Sequence, residues 1–277
     1  MNIKKVILAT AIASLTPSIA SAGFLENWSM DADQDGNKVS VSEYLDLVGN
    51  SYIQNTFTDP NNFTFKDDGF FQIAGADGQG LNSLKDSDDT SFPSRDLTAM
   101  FTNGTGSGTL NGGISFSAGA TLELFSDTNF NYASTDGIYG ANDGLSIAKF
   151  TLVSGSGFVG ADAVPNGNIS LVFEATNLLA GVFFDQSGTD LSTLMSATDP
   201  LRFGFVTTNA SLIANPPANL SSELGELVGI GNAVTSGTDT IVVSNNGQYR
   251  FSTVPEPTSL ALLGLGLLGV AASRKKS

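Results

Sequence analysis

Three aspartates at alternate positions, Asp31, Asp33 and Asp35, come directly before Gly36 and have the spacing of a metal-binding loop. Their carboxylate oxygens can converge on one point if the chain turns sharply, and glycine permits such a turn. The sequence has no histidine, so the available ligands are hard oxygens, which favour calcium over transition metals. The segment therefore predicts a calcium-binding loop.

This segment resembles the EF-hand loop, in which positions one, three, five and seven and a bidentate Glu at position twelve hold the ion. Asp31, Asp33, Asp35 and Asn37 match the first four of these positions, whereas Glu43 stands at position thirteen, so one residue must bulge out of the loop. Two interpretations stay open. One is a calcium site formed by these five residues, and the other is a solvated, Asp-rich turn before a short helix.

The sequence contains neither Cys nor His. Disulfides, thiolate nucleophiles, the usual zinc sites and imidazole-dependent catalytic triads are therefore excluded. We expect no zinc, haem or nucleotide cofactor. Glycosidase chemistry needs only two carboxyl groups, but the spacing of the candidates does not single out a pair. These candidates are Glu123, Glu174, Glu223 and Glu226. We expect a protein that is not an enzyme.

The charge of the chain is strongly asymmetric. Residues 23–257 hold seven basic and all 27 acidic residues, a net charge of −20. Such a charge disfavours nucleic acid and anionic membrane surfaces as partners and favours divalent cations.

Short apolar runs separated by Gly, Asn, Ser and Asp predict an all-β protein. We expect an antiparallel two-sheet sandwich with jelly-roll or Greek-key connections, and hairpin turns at Asn166-Gly167 and Asn246-Gly247. Helices are predicted only over Ser42–Val48 and Leu220–Val228. The predicted organisation is a signal peptide (1–22), an acidic loop with a short helix (23–50), the β domain (51–253) and a C-terminal segment (254–277).

Most aromatic side chains are phenylalanine, which is mainly a core residue. We assign to the core Phe150, Phe173, Phe205 and Phe251. The rings that could face a ligand such as a sugar are Trp28, Tyr132 and Tyr139.

Both ends of the chain have the features of targeting segments. Lys4 and Lys5, an apolar run and Ala20-Ser21-Ala22 are typical of a secretory signal peptide cleaved before Gly23. At the other end, a helix of about 16 residues falls short of the ~20 that comfortably span a bilayer. A basic end follows it, so an ordinary single-pass anchor remains the alternative to a sorting signal.

This tail resembles the PEP-CTERM sorting signal of Gram-negative bacteria. The signature motif is Val254, Pro255, Glu256 and Pro257, and the basic stop is Arg274, Lys275 and Lys276. The resemblance implies processing by an exosortase after transient inner-membrane anchoring through the hydrophobic helix. It also implies release to the cell surface or to an exopolysaccharide matrix.

The runs within Leu97–Val153, the stretch Gly181–Asp185 and the residues before the sorting signal are similar to flocculation-associated PEP-CTERM proteins. That similarity implies a non-enzymatic extracellular protein that supports flocculation or biofilm formation, with extracellular polysaccharide as its partner. The alternatives are a carbohydrate-binding module and, third, a carboxylate-based glycosidase.

Overall fold

The computed structural model describes residues 23–90, 93–161, 165–195, 201–237 and 239–253. The predicted signal peptide and the C-terminal helix lie outside these residues. Within them, no helix is both long and apolar enough to cross a membrane.

The described residues form thirteen strands and one α-helix. The strands are β1 (Gly23–Phe24), β2 (Trp28–Met30), β3 (Val39–Val41), β4 (Leu45–Phe57), β5 (Asn62–Ala76), β6 (Asp96–Thr109), β7 (Gly112–Phe116), β8 (Thr121–Asp127), β9 (Leu145–Val159), β10 (Pro165–Leu178), β11 (Phe183–Phe184), β12 (Leu201–Leu212) and β13 (Thr240–Thr253). The helix is α1 (Ala218–Leu227), and 3₁₀ turns occupy Leu81–Leu84 and Leu191–Leu194. The predicted helix over Leu220–Val228 thus corresponds to α1.

Ten strands form one large antiparallel sheet, and β11, β2 and β3 form a small second sheet. The prediction of an all-β protein with two antiparallel sheets is confirmed. The connections differ from the predicted jelly-roll or Greek-key type, because strands adjacent in the large sheet mostly follow one another along the chain.

The large sheet closes on itself, because β13 pairs with β4. Strands β7 and β8 together fill the position between β6 and β9. Closure removes most of the unpaired strand edges that an open sheet would leave.

The interior of the closed sheet combines large aromatic side chains with glycines. A Cβ atom added at Gly106 would collide with the ring of Phe65 and the carbonyl of Ser115. A Cβ atom at Gly155 would likewise collide with Leu171. Glycine on one strand therefore makes room for a large side chain on another, which lets these aromatic and aliphatic side chains pack closely inside the sheet.

A second apolar cluster covers part of the sheet's outer face. It contains Tyr52, Phe70, Met100, Phe125, Ala141, Leu220, Leu224, Val234 and Val242. Leu220 and Leu224 lie one turn apart on α1, so one side of this helix packs against the outward side chains of the strands.

The helix predicted over Ser42–Val48 is wrong. The backbone N–H groups of Ser42, Glu43 and Tyr44 all donate to the carboxylate of Asp77, at 2.7–3.1 Å. Strand β4 then begins at Leu45 and pairs with β5 and β13. A distant carboxylate and two strand partners therefore supply the hydrogen bonds that a helix would have made locally.

The two predicted Asn-Gly hairpin turns are also wrong. Asn246 and Gly247 lie inside β13, opposite Val48 and Leu47 of β4, and Asn166-Gly167 lies inside β10. Strand β13 is paired with β4 and β12 on both sides of Asn246-Gly247, so the ladder continues through these residues. Asn166-Gly167 lies in β10 at a register shift against β9, between Pro165 and Ile169.

Candidate metal centre and sorting segment

The acidic loop lies between the two strands of a short hairpin. Strands β2 and β3 pair in the register Trp28↔Val41 and Met30↔Val39, and β11 pairs with the other edge of β2. Trp28 packs edge-on against Phe251, with ring centroids 5.0 Å apart. The hairpin is therefore fixed to the main core, and Trp28, one of the three rings that could have faced a ligand, is instead a core side chain that is only 1% exposed.

The first half of the loop folds as the calcium-loop pattern predicts. The Asp31 carboxylate accepts the N–H of Gly36 at 3.0 Å, and Gly36 has a φ of 99°, a value that favours glycine. The Asp35 carboxylate accepts the N–H of Asn37 at 2.7 Å. Asp31, Asp33 and Asp35 each place a carboxylate oxygen within 4.8 Å of the other two. The structure therefore brings together the three aspartates that the sequence singled out.

Contacts from distant segments hold the loop in this shape. The pairs are Asp31 N–H to the Val182 carbonyl, the Gln34 amide to the Ala180 carbonyl, and the Ser126 hydroxyl to the Ala32 carbonyl, each at 2.8 Å. The Lys38 ammonium lies over the Phe184 ring, 3.2 Å from its centroid. These contacts reduce the conformational freedom that the loop would lose on binding an ion.

The electrostatics of Asp31 fit a cation. This residue is 5% exposed, and its Oδ1 atom is buried without a hydrogen-bond partner. Burial, together with the neighbouring Asp33, raises the pKa of Asp31, whereas the backbone and side-chain amides of Asn37 lower the pKa of Asp35. A buried, unpartnered carboxylate oxygen costs free energy, and a bound cation would offset that cost. An all-oxygen, three-carboxylate donor set suits calcium.

The structure does not bring Glu43 into this cluster. Its carboxylate forms an ion pair with Arg250 at 3.1 Å. Glu43 stands four residues beyond Val39, past the end of β3 and at the bend that leads into β4. The side chain of Asn37 hydrogen bonds to Asp35 and Ser87, at 3.0 Å each. Asn37 therefore does not direct its side chain to an ion in this conformation.

Ser87 and Asp77 are residues near the loop and hairpin that the sequence did not indicate. Ser87 joins the acidic turn at residues 86–89 to Asn37 from 50 positions away. Asp77 accepts the three N–H groups at the start of β4, and although burial opposes it, these donors lower its pKa. The Asp77-Gly78 dipeptide signals a turn, but nothing local shows which N–H groups this carboxylate receives.

The two tyrosines that could have faced a ligand, Tyr132 and Tyr139, pack instead against the outer apolar cluster. The ring of Tyr139 stacks on that of Phe70, with centroids 4.5 Å apart, and meets Tyr132 edge-on at 5.3 Å. Burial raises the pKa of both hydroxyl groups. Their packing gives them a structural role in this conformation.

The four glutamates considered for carboxylate catalysis lie on three elements. Glu123 on β8 pairs with Lys149 at 3.3 Å, and Glu223 on α1 accepts the N–H of Tyr139 at 3.0 Å. Glu174 lies on β10, opposite Arg202 of β12, and Glu226 is exposed on α1. Two of the four are thus engaged in structural contacts with other elements.

The C-terminal segment follows β13, the last strand. A scan against protein-family models matches residues 253–276 to the PEP-CTERM protein-sorting motif. The chain carries a PEP-CTERM sorting motif. No curated protein and no solved structure matches the chain.

The PEP-CTERM motif implies export, membrane-associated sorting in a Gram-negative bacterium and processing by an exosortase. The family match covers the tail, from Thr253 to Lys276, and leaves the closed sheet unassigned. The function of the closed sheet after sorting therefore depends on residues outside this match.

Proposed function

We propose that this protein is a non-enzymatic component of the cell surface or exopolysaccharide matrix and supports flocculation or biofilm formation. The observation that carries the proposal is the position of the sorting motif. It begins at Thr253, the last residue of β13, so the exported part is essentially the β domain itself.

The charge of the domain supports a matrix role. A net charge of −20 over residues 23–257 keeps the protein soluble and repels acidic polymers unless cations lie between them. Calcium at Asp31, Asp33 and Asp35 would be a local staple for the β2–β3 hairpin, because an ion that binds only the folded loop stabilises it. Extracellular polysaccharide is the proposed partner.

The matrix role is tested in the native bacterium by deletion and complementation. We expect deletion to slow settling of the culture, and the full-length gene to restore it. A gene ending after Thr253 should give a folded, exported protein that does not restore settling, because it lacks the motif. Normal flocculation of the deletion strain would contradict the matrix role. If flocculation is normal and the purified domain binds one polysaccharide on a glycan array, the carbohydrate-binding alternative is favoured.

The calcium site is tested separately on the purified domain. Calcium should raise the melting temperature of the wild type after chelator treatment, and magnesium should raise it less, because it demands a tighter octahedral shell. Asp31→Asn should abolish the calcium-dependent rise, whereas Glu43→Gln should retain it, because Glu43 pairs with Arg250. A calcium titration that leaves the wild-type melting temperature unchanged would show that the loop is only a solvated turn.

A further inference from the structure

The interior of the closed sheet contains a cavity of about 50 Å³ with a polar side and an aromatic side. The polar side chains that line it are Ser51, Asn55, Asp67, Asn245 and Tyr249. The aromatic side is formed mainly by Phe63, Phe65, Phe71, Phe101 and Phe116. One water needs roughly 10–15 Å³ by this measure, so the cavity has room for an occupant of about three to five water volumes.

The polar side of the cavity is rich in acceptors that lack partners. In the described part of the chain, eight buried side-chain atoms have no hydrogen-bond partner, and four of them belong to residues of this cavity. Three are oxygens, namely Oδ1 of Asn55, Asp67 and Asn245, and one is the amide nitrogen of Asn55. Buried polar groups are nearly always satisfied, so this concentration indicates an occupant that mainly donates hydrogen bonds.

The charge and the aromatic rings specify the occupant further. Asp67 is the only carboxylate that lines the cavity, and no basic residue of the described chain lines it. The Ser51 hydroxyl hydrogen bonds to Asp67 and also accepts an N–H of the Asn245 amide at 3.3 Å. Both of these side chains are uncharged, so they do not balance the charge of the carboxylate. The faces of phenylalanine rings carry negative potential and attract cations.

We infer that this cavity binds ammonium or a primary alkylammonium ion of two to three non-hydrogen atoms, with its N–H groups on the unpartnered oxygens and any alkyl part against the phenylalanine rings. Phe63 and Ile114 also border a recess on the outside of the sheet, so their movement would open a path to solvent. This site is separate from the Asp31 loop and does not depend on the proposed matrix function.

Isothermal titration of the purified domain with methylammonium tests the inference, at pH 8, in chelator and at constant ionic strength. Saturable binding is expected for methylammonium and ammonium, and none for methanol or tetramethylammonium. Methanol lacks the charge, and tetramethylammonium is too large and has no N–H donor.

Two variants locate the binding. Asp67→Asn removes the charge at nearly constant shape and should weaken methylammonium binding at least tenfold. Asp68→Asn, the matched control, should retain saturable binding, because Asp68 accepts the Asn103 N–H and does not line the cavity. If Asp67→Asn does not fold by circular dichroism, Asn55→Leu provides the second test and should also weaken binding. Equal binding by wild type and Asp67→Asn, or no saturable binding by the wild type, would overturn the inference and leave ordered water as the occupant.

Discussion

Replacing Asp67 with asparagine should stabilise the protein at alkaline pH and remove much of its pH dependence. Burial raises the pKa of Asp67 from 3.8 to about 7, with a further contribution from Asp68. Between these two pH values the folded protein keeps a proton that the unfolded chain has already lost. The contribution is thus fully favourable below the unfolded pKa, and it is lost as the pH rises towards 7.

The magnitude follows from the shift. At about 1.4 kcal/mol for each pKa unit, the ionised Asp67 lowers the free energy of unfolding at pH 8 by about 4 kcal/mol relative to pH below 4. About 3 kcal/mol of this loss falls between pH 5 and pH 8. Asp67→Asn keeps the shape and the Ser51 contact but has no charge to bury. The variant should therefore gain most over the wild type at pH 8.

Urea unfolding at pH 5 and pH 8, in buffers free of ammonium, measures this effect. The quantity to compare is the difference between variant and wild type at each pH, because other aspartates titrate in both proteins. Glu226→Gln removes one exposed charge from α1 and serves as the control, with a difference that should not depend on pH. If the Asp67→Asn difference is the same at pH 5 and pH 8, Asp67 is not a desolvated carboxyl group and the reasoning is refuted.

Three further predictions concern packing and processing. Gly106→Ala should destabilise the domain by about 1–3 kcal/mol in urea unfolding, because its Cβ has no room, whereas Gly113→Ala on the neighbouring strand should be nearly neutral. Trp28→Ala should cost about 3–5 kcal/mol by the same measurement, while Leu145→Ala, which is 57% exposed, should change stability by less than about 0.5 kcal/mol. Protein recovered from culture should have an intact mass that lacks Leu260–Ser277. A mass that retains this segment would contradict exosortase processing.

At the candidate metal centre, the local sequence predicts the positions of some residues and not of others. Asp31, Asp33, Asp35 and Gly36 form a compact carboxylate cluster as predicted, because the contacts among them span at most five residues. Glu43 could not be placed in the same way. Its partner Arg250 lies more than 200 residues away, and a chain of that length leaves no local trace of the pairing.

The polar interior of the closed sheet was missed for a related reason. Asp67 continues the alternation of Phe63 and Phe65 on β5, so it occupies an inward position of the strand pattern. Alternation favours an inward position for Asp67, but the sequence Asp67-Asp68-Gly69 is equally typical of a turn that ends a strand. A single polar residue in an apolar series is a signal worth testing, since it marks either a strand end or a buried site.

The sequence by itself determined the sorting motif, the composition limits and the secondary-structure class. Targeting motifs, the absence of Cys and His, and the two-residue alternation of β-strands are local properties of the chain. Tertiary structure alone decided that the sheet closes, that residues 45–48 begin a strand rather than belong to a helix, and that Trp28 is buried. These outcomes depend on hydrogen bonds and packing between residues far apart in sequence, where the partner chosen by the fold overrides the local preference.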